Sequence, residues 1–319
     1  MDFTKTSPVD VQTPAQEPRA WTMFLDSSEE ELVKKLRSVM PIGRRLRPHS
    51  WPDGKKVAVA ITFDVDNEFP MTAALPAQVA TGSYGWFEAL PRIHSLLDRE
   101  EVPATFYIPV GSALLAPQIV SDIKARSRHE IGLHGWTHER IPELKGRDDE
   151  RRLLEQQIRW YEREVGGYPR GYRAPNGAIS NDTIDLLLEC GIKYDSSIPG
   201  GDDCFEVLSN GQATGMVEVP FSWVLTEWMY LHTDEFYQGN LPSPDEVYKI
   251  YRAELDVAIA EGGLFMLTLH PHVIGRRSRI SILDRIIRDA KEAGAWLATV
   301  EQVVDHVARE NGFAQGHAR

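Results

Sequence analysis

The stretch Val57-Ala58-Val59-Ala60-Ile61-Thr62-Phe63-Asp64-Val65-Asp66 decides how this chain is read. An uncharged, largely apolar run ends abruptly in two aspartates. So continuous a run reads as a β-strand covered on both faces, the kind that a parallel sheet buries. Residues two apart on a strand share a face, so Asp64 and Asp66 point into one site.

Comparable runs recur at 104–109, 130–134, 264–270 and 296–300. Helical spacing lies between them. Residues 86–99 place Leu90, Ile93, Leu96 and Leu97 on one face, and 117–126, 149–164, 181–190, 244–261 and 279–293 are patterned alike. Strands alternating with helices predict an α/β fold with a largely parallel sheet. No proline- or serine-rich linker interrupts the alternation, so one catalytic barrel over 51–319 is expected rather than two domains.

Ahead of it, residues 1–50 read as an N-terminal arm. Pro8, Pro14 and Pro18 mark a flexible start, and Ser28-Glu29-Glu30-Glu31 forms a capping box. Leu32, Val33, Leu36, Val39 and Met40 then follow at the spacing of one amphipathic helix. Such a helix packs on the body or on a neighbouring subunit, so a homo-oligomer, dimer or tetramer, is expected. Residues 199–226 hold a Gly-, Asp- and Ser-rich loop, with Trp223 inside the segment and Trp228 just beyond it. The segment either folds over the barrel mouth and closes a pocket, or is a surface loop with core tryptophans.

Composition narrows the partners. Of 319 residues 42% are hydrophobic and 26% charged, as in ordinary globular proteins. Acidic residues outnumber basic ones, 47 to 35, for a net charge of −12. Such a surface repels nucleic acid, anionic membranes and acidic wall polymers. The cysteines, Cys190 and Cys204, make no disulfide framework. No apolar run approaches the ~20 residues of a membrane span. The N-terminus lacks a basic start followed by an apolar core, so a cytoplasmic location is expected.

The ends of the apolar runs carry the chemistry. The first ends Asp64-Val65-Asp66-Asn67-Glu68 and the third His134-Gly135-Trp136-Thr137-His138. If the chain turns helical there, the two histidines are neighbours with Cβ atoms ~5–6 Å apart, a spacing that suits two imidazoles on one metal. Gly171-Tyr172-Arg173-Ala174-Pro175-Asn176-Gly177 forms a further segment, and the late strand ends His270-Pro271-His272. Each piece alone has a bland reading as turn chemistry or a structural histidine. Together they sit where an α/β barrel carries its reactive residues, at the C-terminal ends of strands.

In order and context these segments resemble the polysaccharide deacetylase family, the NodB-homology carbohydrate esterases. Thr62-Phe63-Asp64-Val65-Asp66 resembles its first motif and His134-Gly135-Trp136-Thr137-His138 its second. Arg173-Ala174-Pro175-Asn176-Gly177 resembles the third, and Leu267-Thr268-Leu269-His270-Pro271 the last. The resemblance implies a distorted TIM-like (β/α)7 barrel and one divalent metal ion, zinc foremost, with cobalt, nickel or manganese as alternatives. It implies that Asp66, His134 and His138 are the metal ligands and Asp64 the general base. Arg173 would hold Asp64 ionised, and His270 would be the general acid. Pro175, Asn176, Trp223 and Glu68 are the expected substrate contacts. A divalent metal acidifies water and polarises a carbonyl, which is what hydrolysis of an unreactive amide requires.

The departures point to a branch. Val65 separates the two aspartates where the family usually has them adjacent, and Asn176 stands where a tyrosine is usual. The family's aspartate-tryptophan motif is not evident, and Glu218-Val219-Pro220-Phe221-Ser222-Trp223 occupies roughly its region. These features resemble a branch that includes Helicobacter peptidoglycan-deacetylase-like proteins and cyclic imidases. The expected activity is therefore metal-dependent hydrolysis of non-peptide C–N bonds, with a small cyclic imide or amide as substrate. N-deacetylation of an acetamido sugar or a peptidoglycan- or chitin-type oligosaccharide is the alternative. Readings of other classes are an iron(II) oxygenase, since two histidines and a carboxylate also hold iron, and a non-catalytic binding protein. A zinc amidohydrolase barrel is a lesser rival, because its His-x-His ends the first strand and not a late one.

Overall fold

The computed structural model describes residues 27–69, 76–232 and 241–313. The prolines of the N-terminal start lie outside the described residues. The strands are β1 (Ile42–Arg45), β2 (Ala58–Asp64), β3 (Thr105–Ile108), β4 (Glu130–Leu133), β5 (Gly171–Tyr172), β6 (Tyr194–Asp195), β7 (Phe205–Ser209), β8 (Gln212–Glu218), β9 (Leu264–Leu269) and β10 (Trp296–Ala298). Their order is β1-β7-β8-β6-β5-β4-β3-β2-β10, with β9 also on β2. The neighbours among β2, β3, β4, β5, β6, β8 and β9 that pair do so in parallel. The β8 and β9 ends of this curled sheet are linked by a single parallel bridge, Thr226 to Thr268. The result is a distorted α/β barrel, as expected.

β2 shows how the sequence positions the site. All its residues are buried. Val57, Val59, Ile61, Phe63 and Val65 pack with helix residues such as Ile93, Leu97 and Ile286 in the outer layer. Ala58 and Ala60 pack with Tyr107, Tyr194 and Met266 in a second cluster inside the barrel. The strand period of two therefore carries the inward face on through Thr62 to Asp64, at the strand's C-terminal end. Small residues low in the barrel leave room for the tyrosines, and polar ones above them face the cavity.

Five strands had no sequence expectation. β5 and β6 have two residues each and carry no periodicity. β7 and β8 form a hairpin joined by Asn210 and Gly211, both at positive φ (49° and 74°). An Asn-Gly dipeptide between strands is a strong hairpin signal. This hairpin corrects the reading of 199–226: the middle of the segment is a two-stranded part of the sheet, and only its end, from Phe221, reaches the barrel mouth. Cys204 is buried there, with its thiol pKa pushed upward by that burial. β1 is an edge strand against β7. Its Ile-Gly-Arg-Arg sequence contains no apolar run to betray it. The preceding helix, α1 (Glu29–Val39), has the capping box between Ser28 and Glu31.

Candidate active site

A cavity of about 190 Å³ opens at the C-terminal ends of the parallel strands. Asp64, Asp66, His134, His138, Arg173, Asn176, Trp223 and His270 line it, with Phe221, Thr226, Trp228 and Met229. Two expected contacts fall outside the lining. Pro175 is buried against Gly135, where a Cβ on the glycine would sit 2.8 Å from the proline ring. The Glu68 carboxylate is engaged by Ser83 Oγ at 2.6 Å and Trp86 Nε1 at 2.7 Å. Pro175 therefore supports the site from behind, and Glu68 braces the loop that follows β2.

Three donors converge. His134 Nε2 lies 3.2 Å from Asp66 Oδ1, and His138 Nε2 lies 3.4 Å from Asp66 Oδ2. One ligand atom from each of the three falls within 4.8 Å of the others. Asp66 Oδ1 is buried without a hydrogen-bond partner. An orphaned carboxylate oxygen is costly unless something binds it, and two imidazoles with one carboxylate leave a coordination position open. The set fits one divalent ion. Burial works against the Asp66 carboxylate, but the neighbouring histidines outweigh it and hold its pKa far below the usual carboxylate range. Burial lowers the His138 pKa, which favours the neutral ring a metal needs.

The pair is placed by a loop and not by a helical turn, which corrects the expected geometry. Gly135 (φ 83°) and His138 (φ 58°) are both left-handed. Glu139 shapes the loop by accepting the N–H groups of Trp136 (3.0 and 2.9 Å) and Thr137 (2.7 Å). His134 Nδ1 contacts the Arg173 carbonyl at 2.7 Å, which fixes the ring and turns Nε2 to Asp66.

Arg173 is a buried cation whose three nitrogens all donate hydrogen bonds, Nε to the Ser196 carbonyl at 3.2 Å. Its Nη1 donates to Asp64 Oδ1 at 2.7 Å and to Thr62 Oγ1 at 2.8 Å. Nη2 donates to Ser196 Oγ at 2.9 Å, and the guanidinium lies 4.1 Å above the Tyr107 ring. Asp64 is thereby gripped through one oxygen, while its Oδ2 lies 3.9 Å from His134 Nε2.

His270 Nε2 lies 3.7 Å from Asp66 Oδ2. Its other face is held by Glu227, whose carboxylate is fully buried. Glu227 accepts the His270 backbone N–H at 2.5 Å and sits 3.3 Å from ring Nδ1. Burial disfavours the imidazolium, but Glu227 and the aspartates outweigh it and raise the His270 pKa to about 9. The sequence reading missed Glu227. The signal was the Glu227-Trp228 pair, which stands where the expected aspartate-tryptophan was not found. Trp228 lies 4.9 Å from the His270 ring and lines the cavity. Glu218 instead accepts the Ile198 N–H at 2.9 Å, outside the cavity lining. His272, the second histidine of the His-x-His segment, is buried, also outside the lining, with burial lowering its pKa to about 3.

Comparison with known proteins follows the same lines. A family model for polysaccharide deacetylase matches residues 52–194. The peptidoglycan deacetylase of Helicobacter pylori is 25% identical over 290 residues, covering 81% of this chain and 98% of that protein. A solved structure from Mycobacterium smegmatis, assigned to the polysaccharide deacetylases, is 35% identical with a TM-score of 0.75. The match covers 87% of this chain and 99% of that one. A solved allantoinase, 20% identical with a TM-score of 0.71 over 83% of this chain and 94% of its own, has a similar fold.

Proposed function

The chain belongs to the polysaccharide deacetylase family, hydrolases of carbon–nitrogen bonds other than peptide bonds, and from that premise we propose a metal-dependent hydrolase that opens a small cyclic imide or amide. The observation that carries the reading is the convergence of Asp64 with Arg173, and of His270 with Glu227, on one cavity beside Asp66, His134 and His138. Zinc, held by those three, would supply Lewis acidity to the carbonyl and to water.

The chain's own groups do the proton work. Asp64, held in place by Arg173 through Oδ1, takes a proton from the attacking water as the new C–O bond forms. His270, kept protonated by Glu227, gives its proton to the nitrogen as the C–N bond breaks. A ring substrate leaves as one molecule carrying a carboxylate and the released nitrogen. Each positioned proton transfer contributes ~10²–10⁴-fold.

The small-ring preference rests on size and lining. About 190 Å³ is below the ~300–1,000 Å³ of pockets for drug-sized ligands. Phe221, Trp223 and Trp228 offer flat apolar faces to a planar ring. One observation favours the sugar alternative: Trp223 is 48% exposed at the mouth, open to stacking by a pyranose. Assaying metal-loaded protein on succinimide and hydantoin-type rings beside N-acetylglucosamine oligomers separates the two. Turnover of rings alone is expected, and turnover of oligomers alone overturns the ring reading.

A further inference from the structure

Two acids are buried opposite each other beside the segment that holds Arg173. Asp195 on β6 is the register partner of Glu218 on β8, and both are fully buried. Arg173 is the cation that faces them, but its nitrogens donate to Asp64, Thr62 and Ser196 instead. Tyr172 and Cys204 also face the pair, and burial keeps both neutral by raising their pKa values. Two buried carboxylates side by side do not both ionise without a cation between them. Hydrogen bonds decide which one keeps the proton. Asp195 accepts the Ser197 hydroxyl at 2.6 Å through Oδ1 and the Ser197 N–H at 3.3 Å through Oδ2, contacts that favour a carboxylate. Glu218 accepts the Ile198 N–H at 2.9 Å through Oε1, and its Oε2 is buried with no donor among the described residues. Burial and the neighbouring Asp195 push the Glu218 pKa well above the carboxylate range. Oε2 is the atom left to carry a proton to Asp195.

The pair fastens the residues around Ser196. Ser196 takes two of the guanidinium's hydrogen bonds, from Nε through its carbonyl at 3.2 Å and from Nη2 through its hydroxyl at 2.9 Å. The residues that follow it are the ones tied to the acids, Ser197 to Asp195 and Ile198 to Glu218. Ser197 Oγ also accepts the Ala174 N–H at 2.8 Å, so the tie reaches the residue next to Arg173. Neither acid lines the cavity. Their effect on the chemistry runs through Ser196 and Arg173 to Asp64, which makes them positioning residues.

We infer that Glu218, as a neutral acid, donates its proton to Asp195, and that the joined pair positions Ser196 and through it the Arg173–Asp64 couple. Difference infrared spectra of wild type and Glu218→Gln at neutral pH test the proton. The carbonyl band of a protonated carboxylic acid should be lost in the variant, and its absence from the difference overturns the proposal. Stability gives a second reading. The folded chain keeps a proton on Glu218 that the unfolded chain releases above ~4.3, so wild-type stability falls relative to Glu218→Gln as pH rises from about 5 to 8. A margin between the two that stays constant across that window overturns the proposal. Neither measurement needs a substrate, so both stand apart from the ring reading. Kinetics of metal-loaded protein test the positioning, on succinimide or, where the wild type turns over those instead, on N-acetylglucosamine oligomers. Glu218→Gln should keep the wild-type kcat, because its amide N–H replaces the shared proton. Glu218→Leu should lower kcat ~10-fold or more, with KM and metal content nearly unchanged. Ser197→Ala, which cuts Asp195 from Ala174 and leaves both acids in place, should lower kcat in the same way and carries the test if Glu218→Leu does not fold. A wild-type kcat in Ser197→Ala overturns the positioning role.

Discussion

Glu227 holds His270 at two points, accepting its backbone N–H through Oε1 and facing ring Nδ1 through Oε2. The first contact places the residue, and the second leaves Nε2 turned toward Asp66 and the cavity. A glutamine at 227 keeps an acceptor for the backbone but loses the buried counter-charge. Glu227→Gln is expected to lower kcat by ~10²-fold, the scale of a general-acid contribution, with KM nearly unchanged. Steady-state kinetics beside a thermal melt check this, since simple unfolding would lower the melting temperature as well.

Arg173 rests on Tyr107, whose hydroxyl continues to Tyr194 at 3.1 Å, and Tyr194 in turn bonds Glu130 low in the barrel. The ring face is the part that positions the guanidinium. Tyr107→Phe should keep most activity. Tyr107→Leu removes a buried cation–π contact of about 2 kcal/mol, and kcat should fall by more than ~10-fold. Equal kinetic losses in the two variants would contradict this account.

The residues that were legible are those that end long apolar runs. Asp64, Asp66, His134, His138 and His270 each follow a strand visible in the sequence, and the structure brings all of them with Arg173 to one cavity. Glu227 was not legible because no strand precedes it, only the single bridge at Thr226. β5 and β6 are too short for any pattern, although Arg173 directly follows β5. Glu68 misled because a carboxylate beside a ligand motif resembles a substrate contact. Only the fold shows Ser83 and Trp86 already bonded to it. A helical turn is only one way to bring His134 and His138 together, and spacing alone does not reveal the left-handed backbone at Gly135 and His138.

Stability should fall in acid through a pair remote from the site. His94 and His129 lie 6.1 Å apart between helix and sheet. Burial, aided by Arg126 for the first and Arg128 for the second, lowers both pKa values from 6.5 to about 4. Between those limits the unfolded chain binds more protons than the folded one, so stability rises with pH. The contribution is complete above the unfolded value and is lost as pH falls toward 4. The loss is on the order of a few kcal/mol. Denaturant midpoints across this window should decline in the wild type and flatten in a His94→Gln, His129→Gln double variant. An equal decline in both would reject the assignment.

Trp223 stands at the mouth against Phe221, with ring centroids 4.7 Å apart. It touches none of the proton-transfer groups in the contacts described. Trp223→Ala should raise KM by about 10-fold, the cost of one lost aromatic contact of ~1.5 kcal/mol, and leave kcat nearly unchanged. A selective fall in kcat would place the indole in the chemistry instead.

The account depends most on Asp66, His134 and His138 holding a metal that Asp64 works beside. Metal content and turnover, measured on the same preparations of wild type, His138→Ala and Asp64→Asn, test this most directly. The prediction is one equivalent of metal with turnover in the wild type. His138→Ala should lose both, and Asp64→Asn should keep the metal while losing turnover. Full turnover by metal-free wild type, or wild-type metal content in His138→Ala, would contradict the account.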